Sequence, residues 1–394
     1  MENREVLHIG VGRCGNAIVD GLSRANSSFI GMLYNTAAND LNELESYIDG
    51  IGTVLIPNAD GTGKDRDLAK EYAIARKDMF EDKLSASFSM CKYFVFYFSM
   101  DGGTGSGCSP ALIEILHDYY NGECEISIVA TIRSKHASKV QLENTKACWN
   151  DLKELQSRGI IKSLMFIDND ARESEEEING EVIRTLAYSY SLKDLDDSGA
   201  IDTTDMGRYF NATGYRTAYV LNNKYGNFSE ALKNAIDESV FLKPEKYEIT
   251  EEIIDSIKNN ELLSEKEKEI KIEEESKFSY RVKQLIGLIQ TTRYKISDVL
   301  GTINAVDNNK IGVNDNNVIA ISGMDIPPYK FNEVNSRLKM ASIDLNIQKK
   351  EVSFYDEVIT KEEPSPVSKG RRNTGRKRKS IDDILNKNAW RKSK

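Results

Sequence analysis

Four glycines fall within the six residues Gly102-Gly103-Thr104-Gly105-Ser106-Gly107, directly after the apolar run Tyr93 to Ser99. With no side chains in the way, successive backbone N–H groups can converge there on phosphate oxygens, helped by the Thr104 and Ser106 hydroxyls. No Walker lysine follows, which excludes a P-loop. An earlier loop, Gly10-Val11-Gly12-Arg13-Cys14-Gly15-Asn16, follows Val6-Leu7-His8-Ile9 and satisfies the GxGxxG spacing ahead of a helical pattern from Ala17 to Leu22. A third constellation, Ala200-Ile201-Asp202-Thr203-Thr204-Asp205-Met206, sets two carboxylates three residues apart. Such a pair could orient an attacking water or help hold a cation. It could equally be a helix N-cap and a first-turn charge.

The elements that must position these groups alternate through residues 5 to 170 in the manner of a parallel α/β layer. Strands are predicted at Phe29 to Asn35, Tyr93 to Ser99, Ile126 to Thr131 and Ser163 to Ile167, besides Val6 to Ile9. Ligands of open α/β sheets bind beyond the carboxyl ends of strands, where both glycine loops lie. After the second glycine loop a helix is expected from about Pro110. A linking helix is expected from Glu181 to Lys193, with Val182, Ile183, Leu186, Ala187 and Tyr190 on one buried face.

A second, smaller α/β region begins near Gly214, with strands at Ala218 to Leu221 and Val318 to Ile321 and a helix from about Ser229. Lys- and Glu-rich residues 244–275 read as exposed helices or a mobile excursion. Residues 332–350 read as a long helix. The expected division is a nucleotide domain over 1–177, a linking helix over 178–200, a second domain over 201–330, a C-terminal helix over 331–360 and a disordered tail over 361–394.

Composition narrows the function. Five cysteines without a CxxC pair argue against a disulfide framework or a structural zinc, and three histidines argue against a multi-histidine metal site. No run of about 18 apolar residues and no signal-like N-terminus are present, so a soluble cytoplasmic protein without a membrane partner is expected. From Lys361 to Lys394 twelve Lys/Arg face four Asp/Glu, giving a tail of +8 on a body of -17 for a total of -9. An acidic body disfavours DNA binding along its whole surface, whereas the tail could engage phosphate, an acidic surface or a neighbouring subunit.

The motifs together resemble the tubulin/FtsZ superfamily. Gly102 to Gly107 looks like its signature loop, and Gly12-Arg13-Cys14-Gly15-Asn16 looks like the first nucleotide loop of tubulins. Asn35-Thr36-Ala37-Ala38-Asn39-Asp40-Leu41 is similar to the second FtsZ loop, and Gly61-Thr62-Gly63-Lys64-Asp65 stands where the family places its γ-phosphate-sensing loop. The resemblance implies a GTPase that binds GTP or GDP with Mg²⁺ and assembles head to tail with copies of itself. Nucleotide contacts are then expected from Gly12, Arg13, Cys14, Asn16, Asn35, Asn39, Gly63, Lys64, Gly102, Gly103, Thr104, Gly105, Ser106 and Gly107.

Ile167-Asp168-Asn169-Asp170-Ala171 is similar to the tubulin segment in which an Asn amide reads guanine, a role carried here to Asn169. Glu143 matches the spacing of the tubulin ribose glutamate, and a solvated helix-surface glutamate is the plain alternative. Asn179 and Glu181 are both candidates for a second guanine contact, with N-capping an adequate alternative for Asn179. Asp202 and Asp205 resemble the FtsZ carboxylates that reach the γ-phosphate of the subunit below, although Ala200 replaces the asparagine expected two residues before Asp202.

An acidic body, a divergent C-terminal region and a basic tail most resemble the TubZ family of plasmid- or phage-borne segregation GTPases. That resemblance implies that the tail, with a short helix after Ser380, engages a DNA-bound adaptor and touches DNA at most non-specifically. A filament for phage positioning or cell division is the alternative within the superfamily, and an NAD-dependent Rossmann enzyme is the alternative outside it. The latter wants an acidic residue at the end of the second strand, where Asn35 stands.

Overall fold

The computed structural model describes residues 5–45 and 52–343. The expected basic tail, its short helix and the segment 344–360 lie outside the described residues. In chain order the elements are β1 (Val6–Val11), α1 (Gly12–Ala25), β2 (Ile30–Asn35), α2 (Ala38–Asn42), β3 (Thr53–Leu55), α3 (Arg66–Ala75), α4 (Lys77–Ser87), β4 (Tyr93–Ser99), α5 (Thr104–Tyr119), β5 (Glu125–Ile132), α6 (Lys139–Ser157) and β6 (Ile161–Asp168). They continue as α7 (Glu175–Tyr190), α8 (Leu192–Leu195), α9 (Thr203–Asn211), β7 (Gly214–Val220), α10 (Phe228–Asp237), α11 (Glu251–Lys258), α12 (Glu265–Lys277), β8 (Tyr280–Ile289), α13 (Ile296–Thr302), β9 (Ile303–Val313), β10 (Val318–Met324) and a last helix, α14, over residues 329–343.

Ten strands form one sheet in the order β3-β2-β1-β4-β5-β6-β7-β10-β8-β9. The first seven strands pair in parallel. All six residues of β1 are buried, because helices cover both faces of a parallel sheet. Leu7, Ile9 and Val11 point into a core with α3, α5 and α6, while Val6 joins the opposite core beneath α1 and α7. The strand order turns back between β1 and β4, so the loops leaving these two strands open onto one crevice.

The C-terminal α/β region continues this sheet: β6 pairs with β7 at Ser163↔Gly214 and Leu164↔Tyr215, and antiparallel β10 and β8 follow. It keeps a core of its own, built from Tyr219, Leu221, Phe228, Leu285 and Ile319 among others. The described residues up to Ser342 form one compact unit.

Three helices differ from expectation in their bounds, the first being α1, which starts at Gly12 and not at Ala17, so that part of the first glycine loop is its first turn. Helix α5 starts at Thr104, not near Pro110, so the last four residues of the glycine motif are its first turn and Pro110 is buried inside it. Glycines and hydroxyl residues look like loop in sequence, but the Gly107 N–H reaches the Gly103 carbonyl at 2.9 Å and closes the turn. The linking helix α7 starts at Glu175, six residues before the expected Glu181, and ends at Tyr190. Ser174 caps it by accepting the Glu176 and Glu177 N–H groups, and three glutamates in the first turn suit the positive helix end. Asn179 therefore lies inside the helix and is not its cap.

Candidate functional site

Four loops close on one another at the crevice. A side-chain carbon on Gly12 would stand 3.2 Å from the Gly105 nitrogen and 3.4 Å from Thr104 Cβ, so the first and fourth loops touch through backbone. The Thr36 and Thr104 hydroxyls are 2.7 Å apart, joining the second loop to the fourth. Gly103 backs onto Thr62 and Lys64 of the third loop so closely that a methyl group there would strike the Thr62 hydroxyl and lie 3.0 Å from Lys64 Cα. Gly105 is equally constrained, with the Ser99 carbonyl 2.8 Å from where its Cβ would be. Beside Gly102, in contrast, nothing lies within 4 Å, which leaves the outer face of the cradle open.

Helices α1, α2 and α5 begin without a side-chain cap, and α1 and α5 have no acidic residue in their first turns. Helices α4, α8 and α13 also begin uncapped but carry a first-turn aspartate, so among α1 to α13 only α1 and α5 begin with neither a side-chain cap nor a first-turn acid. By comparison α3, α6, α7, α9 and α10 are each capped by Asp, Ser or Asn. Unclaimed N–H groups and two positive dipole ends facing one crevice suit an anion of several charges. Beneath them the Asn16 side chain donates to the Tyr34 carbonyl at 3.3 Å, while its buried amide oxygen has no partner among the described residues. Asn35 is committed: its oxygen accepts the Thr36 and Ala37 N–H groups and its amide donates to Asp40. Burial pushes the Cys14 thiol up to about 11, so it stays protonated near neutrality, 3.7 Å from the Thr131 hydroxyl. Arg13, paired with Glu43 at 3.3 Å, and Asn39 are exposed.

Asn144, which the sequence did not single out, holds the cradle together. Its amide donates to the carbonyls of Lys64 (3.0 Å), Asp101 (3.3 Å) and Gly102 (3.3 Å). Gln141, one turn earlier, donates to the Asp101 carboxylate at 2.8 Å. The neighbouring Glu143 is exposed, pairs with Lys139 at 3.6 Å and lines a cavity of about 420 Å³ with Gly63, Lys64 and Asp65.

At the other end of the crevice the Asn169 N–H donates to the Ile132 carbonyl at 2.9 Å. Arg133 Nε lies 3.2 Å from the Asn169 amide, whose oxygen is assigned to that side because only there does it meet a donor. The adjoining carboxylates are gathered by Lys330 of α14, whose ammonium lies 2.6 Å from Asp168 and 2.7 Å from Asp170. Burial alone would raise the Asp170 pKa, but hydrogen bonds from Lys330, the Lys135 N–H and the Ser134 N–H and hydroxyl hold it down at about 2. Glu181 accepts from Arg172 at 3.0 Å and from the Val240 N–H at 3.1 Å, whereas no hydrogen bond engages the half-buried Asn179 side chain among the described residues.

Asp202 and Asp205 form a reciprocal cap on α9. Asp205 is 2% exposed and also accepts from Asn308 of β9 at 3.1 Å, while Asp202 faces solvent. The Asp205 N–H, with lesser help from the Thr204 N–H and Lys310, holds the Asp202 carboxyl below its ordinary range. None of these partners belongs to the glycine loops.

A strand-turn-helix crevice at a sheet reversal is shared by many nucleotide folds, but residues 5–173 as a whole match the model of the Tubulin/FtsZ family GTPase domain. Residues 5–173 are a tubulin/FtsZ-type domain. The dinucleotide-enzyme alternative falls with that match. A tubulin-like TubZ of Clostridium botulinum C phage is 26% identical over 241 residues, 61% of this chain and 66% of that relative, just under two thirds of its length. The tubulin-like CetZ of Methanothrix thermoacetophila is 26% identical over 268 residues, covering 61% and 71%. Among solved structures, the tail-truncated TubZ of C. botulinum phage c-st superposes with a TM-score of 0.70 at 19% identity, over 87% of this chain and 99% of that one. A GTPγS-form protofilament of Bacillus thuringiensis serovar israelensis TubZ gives 0.66 at 13% identity, over 90% and 95%. Both share the tubulin-type fold, and the second was seen as a protofilament.

Proposed function

We propose that the chain binds GTP in the four-loop crevice, assembles head to tail, and hydrolyses GTP only where a second copy supplies Asp202. The observation that carries this reading is the meeting of two uncapped, acid-free helix N-termini in a glycine cradle, with the exposed carboxylate of Asp202 sharing no partner with that cradle. The N–H groups of residues 12–14 and 103–106 would hold the phosphates, with Thr104 and Lys64 at their outer side. Asn169 would read guanine and Asn179 would make the second base contact, because Glu181 is already engaged by Arg172 and Val240.

Among the described residues no group of three or more His, Cys, Asp or Glu could hold a metal alone, so a Mg²⁺ would rest mainly on phosphate oxygens, where it neutralises charge during phosphoryl transfer. From the neighbouring subunit, Asp202 would orient the attacking water. The relatives named above include TubZ, and the +8 tail adds an appendage suited to an acidic or DNA-bound partner. A role in DNA segregation through a DNA-bound adaptor is therefore the biological reading.

The test records GTP hydrolysis and light scattering together over a range of protein concentrations. Turnover that rises steeply with scattering above a threshold supports completion of the site by assembly. Turnover proportional to protein, without scattering, overturns it.

A further inference from the structure

Lys330 is a lysine with 2% side-chain exposure, on a helix about 160 positions away in sequence from the carboxylates it binds. Its ammonium meets Asp168 Oδ1 at 2.6 Å, Asp170 Oδ2 at 2.7 Å and Glu333 Oε2 at 3.5 Å. The two aspartates stand on either side of Asn169, the residue assigned above to guanine. Asp168 also accepts the Asp170 N–H at 2.9 Å, and Asp170 clamps Ser134 and Lys135 of the loop that carries Arg133. Arg133 in turn donates to the Asn169 side chain. One ammonium thus closes a ring of polar contacts around the base-reading amide.

The helix that delivers it is firmly seated. Phe331 stacks on Trp149 with centroids 4.4 Å apart and packs edge-on against Phe166, two residues before Asp168 on β6. Val334 is buried beside it, and the Tyr329 hydroxyl accepts the Lys243 N–H at 3.1 Å. Two carboxylates this close repel each other unless a cation lies between them, and removing one partner from a buried ionic group leaves an uncompensated charge.

We propose that Lys330 is a positioning residue for Asn169, and that through it guanine-nucleotide binding and the docking of α14 depend on each other. Without the ammonium the Asp168–Asp170 turn opens and the amide between them loses its fixed orientation. By reciprocity, a base that fixes Asn169 tightens the seat of α14. A partner pulling on the chain beyond residue 343 acts on the helix that carries Lys330, which gives such a partner a route to the nucleotide. This inference rests on the guanine-binding reading and adds the C-terminal helix to it.

Hydrogen exchange of the full chain, with and without GDP, is the first test, because it needs no variant. GDP should slow exchange of amides in 329–343; binding of GDP with no change there overturns the coupling while leaving the nucleotide reading intact. Absence of any GDP binding overturns both. The second test titrates a fluorescent GDP analogue into Lys330→Met, Lys330→Arg and Phe331→Leu. Lys330→Met should weaken binding roughly tenfold or more and erode the preference for GDP over ADP, and Lys330→Arg should restore most of both. Phe331→Leu, which loosens the seat of α14 but keeps the ammonium, should lower thermal stability and cost the preference much less than Lys330→Met does; equal loss of preference in Phe331→Leu, or none in Lys330→Met, overturns the positioning role.

Discussion

The Asp202 carboxylate accepts the Asp205 N–H at 2.9 Å while the Asp205 carboxylate accepts the Asp202 N–H at 3.2 Å. The two aspartates nonetheless have different surroundings, since Asp205 is buried against Asn308 and Asp202 faces solvent. Asp202→Asn keeps a good capping residue, so thermal stability should change by less than about 1 kcal/mol. GTP turnover in assembled protein should fall by roughly a hundredfold or more if the carboxylate orients water. Phosphate release above the assembly threshold measures it, and normal turnover in well-formed assemblies would remove Asp202 from the mechanism.

Asp205→Ala should act first on the fold. It removes half of the reciprocal cap and leaves the Asn308 amide without its acceptor, a loss of about 2 kcal/mol. A lower urea midpoint with GTP affinity retained in the folded protein is the expected result.

Gly102 and Gly103 should separate binding from folding. A methyl group at Gly103 collides with Thr62 and Lys64, so Gly103→Ala should disturb the third loop and destabilise the apo protein. Gly102→Ala meets nothing within 4 Å and should leave apo stability unchanged. Its methyl group would still enter the open face of the cradle, and GTP affinity should drop at least about tenfold. Unaltered affinity in Gly102→Ala would move the phosphates elsewhere.

Asn144→Ala deletes the one amide that spans the carbonyls of Lys64, Asp101 and Gly102. Proteolysis or hydrogen exchange should reveal a looser 61–65 loop, and GTP should weaken more than GDP because that loop stands on the γ-phosphate side of the proposed site.

Stability should begin to fall below about pH 6.5. His8 is 1% exposed beside Phe29, Tyr97 and Tyr190, and burial, with a smaller contribution from buried Arg216, lowers its pKa from 6.5 to about 3. The folded chain therefore binds this proton less readily than the unfolded chain. The His8 contribution is complete above about 6.5 and is lost as pH falls towards 3, by at most about 1.4 kcal/mol per pH unit. Asp170, held at about 2, adds acid sensitivity only below about 4. Urea midpoints between pH 7.5 and 4.5 measure the slope, and His8→Gln should flatten it.

Much of this protein is local in origin and was legible in its sequence. The glycine loops, the strands at 93–99 and 318–321 and the Asp202/Asp205 pair follow from runs and spacings that neighbouring residues impose on one another. The start of α5 at Thr104 was not legible, because a glycine-rich turn becomes helical only when Gly103 and Gly107 pack against the third loop and α3. Asn144, Arg133 and Lys330 were passed over for a related reason: each is an ordinary polar residue on its own helix or strand end. What each does depends on carbonyls or carboxylates from 36 to 162 positions away, brought within hydrogen-bond reach only when the sheet stacks its strands out of chain order. Sequence spacing determined which groups could bind phosphate, while long-range burial decided which of them are free to do so and which are already held by the fold.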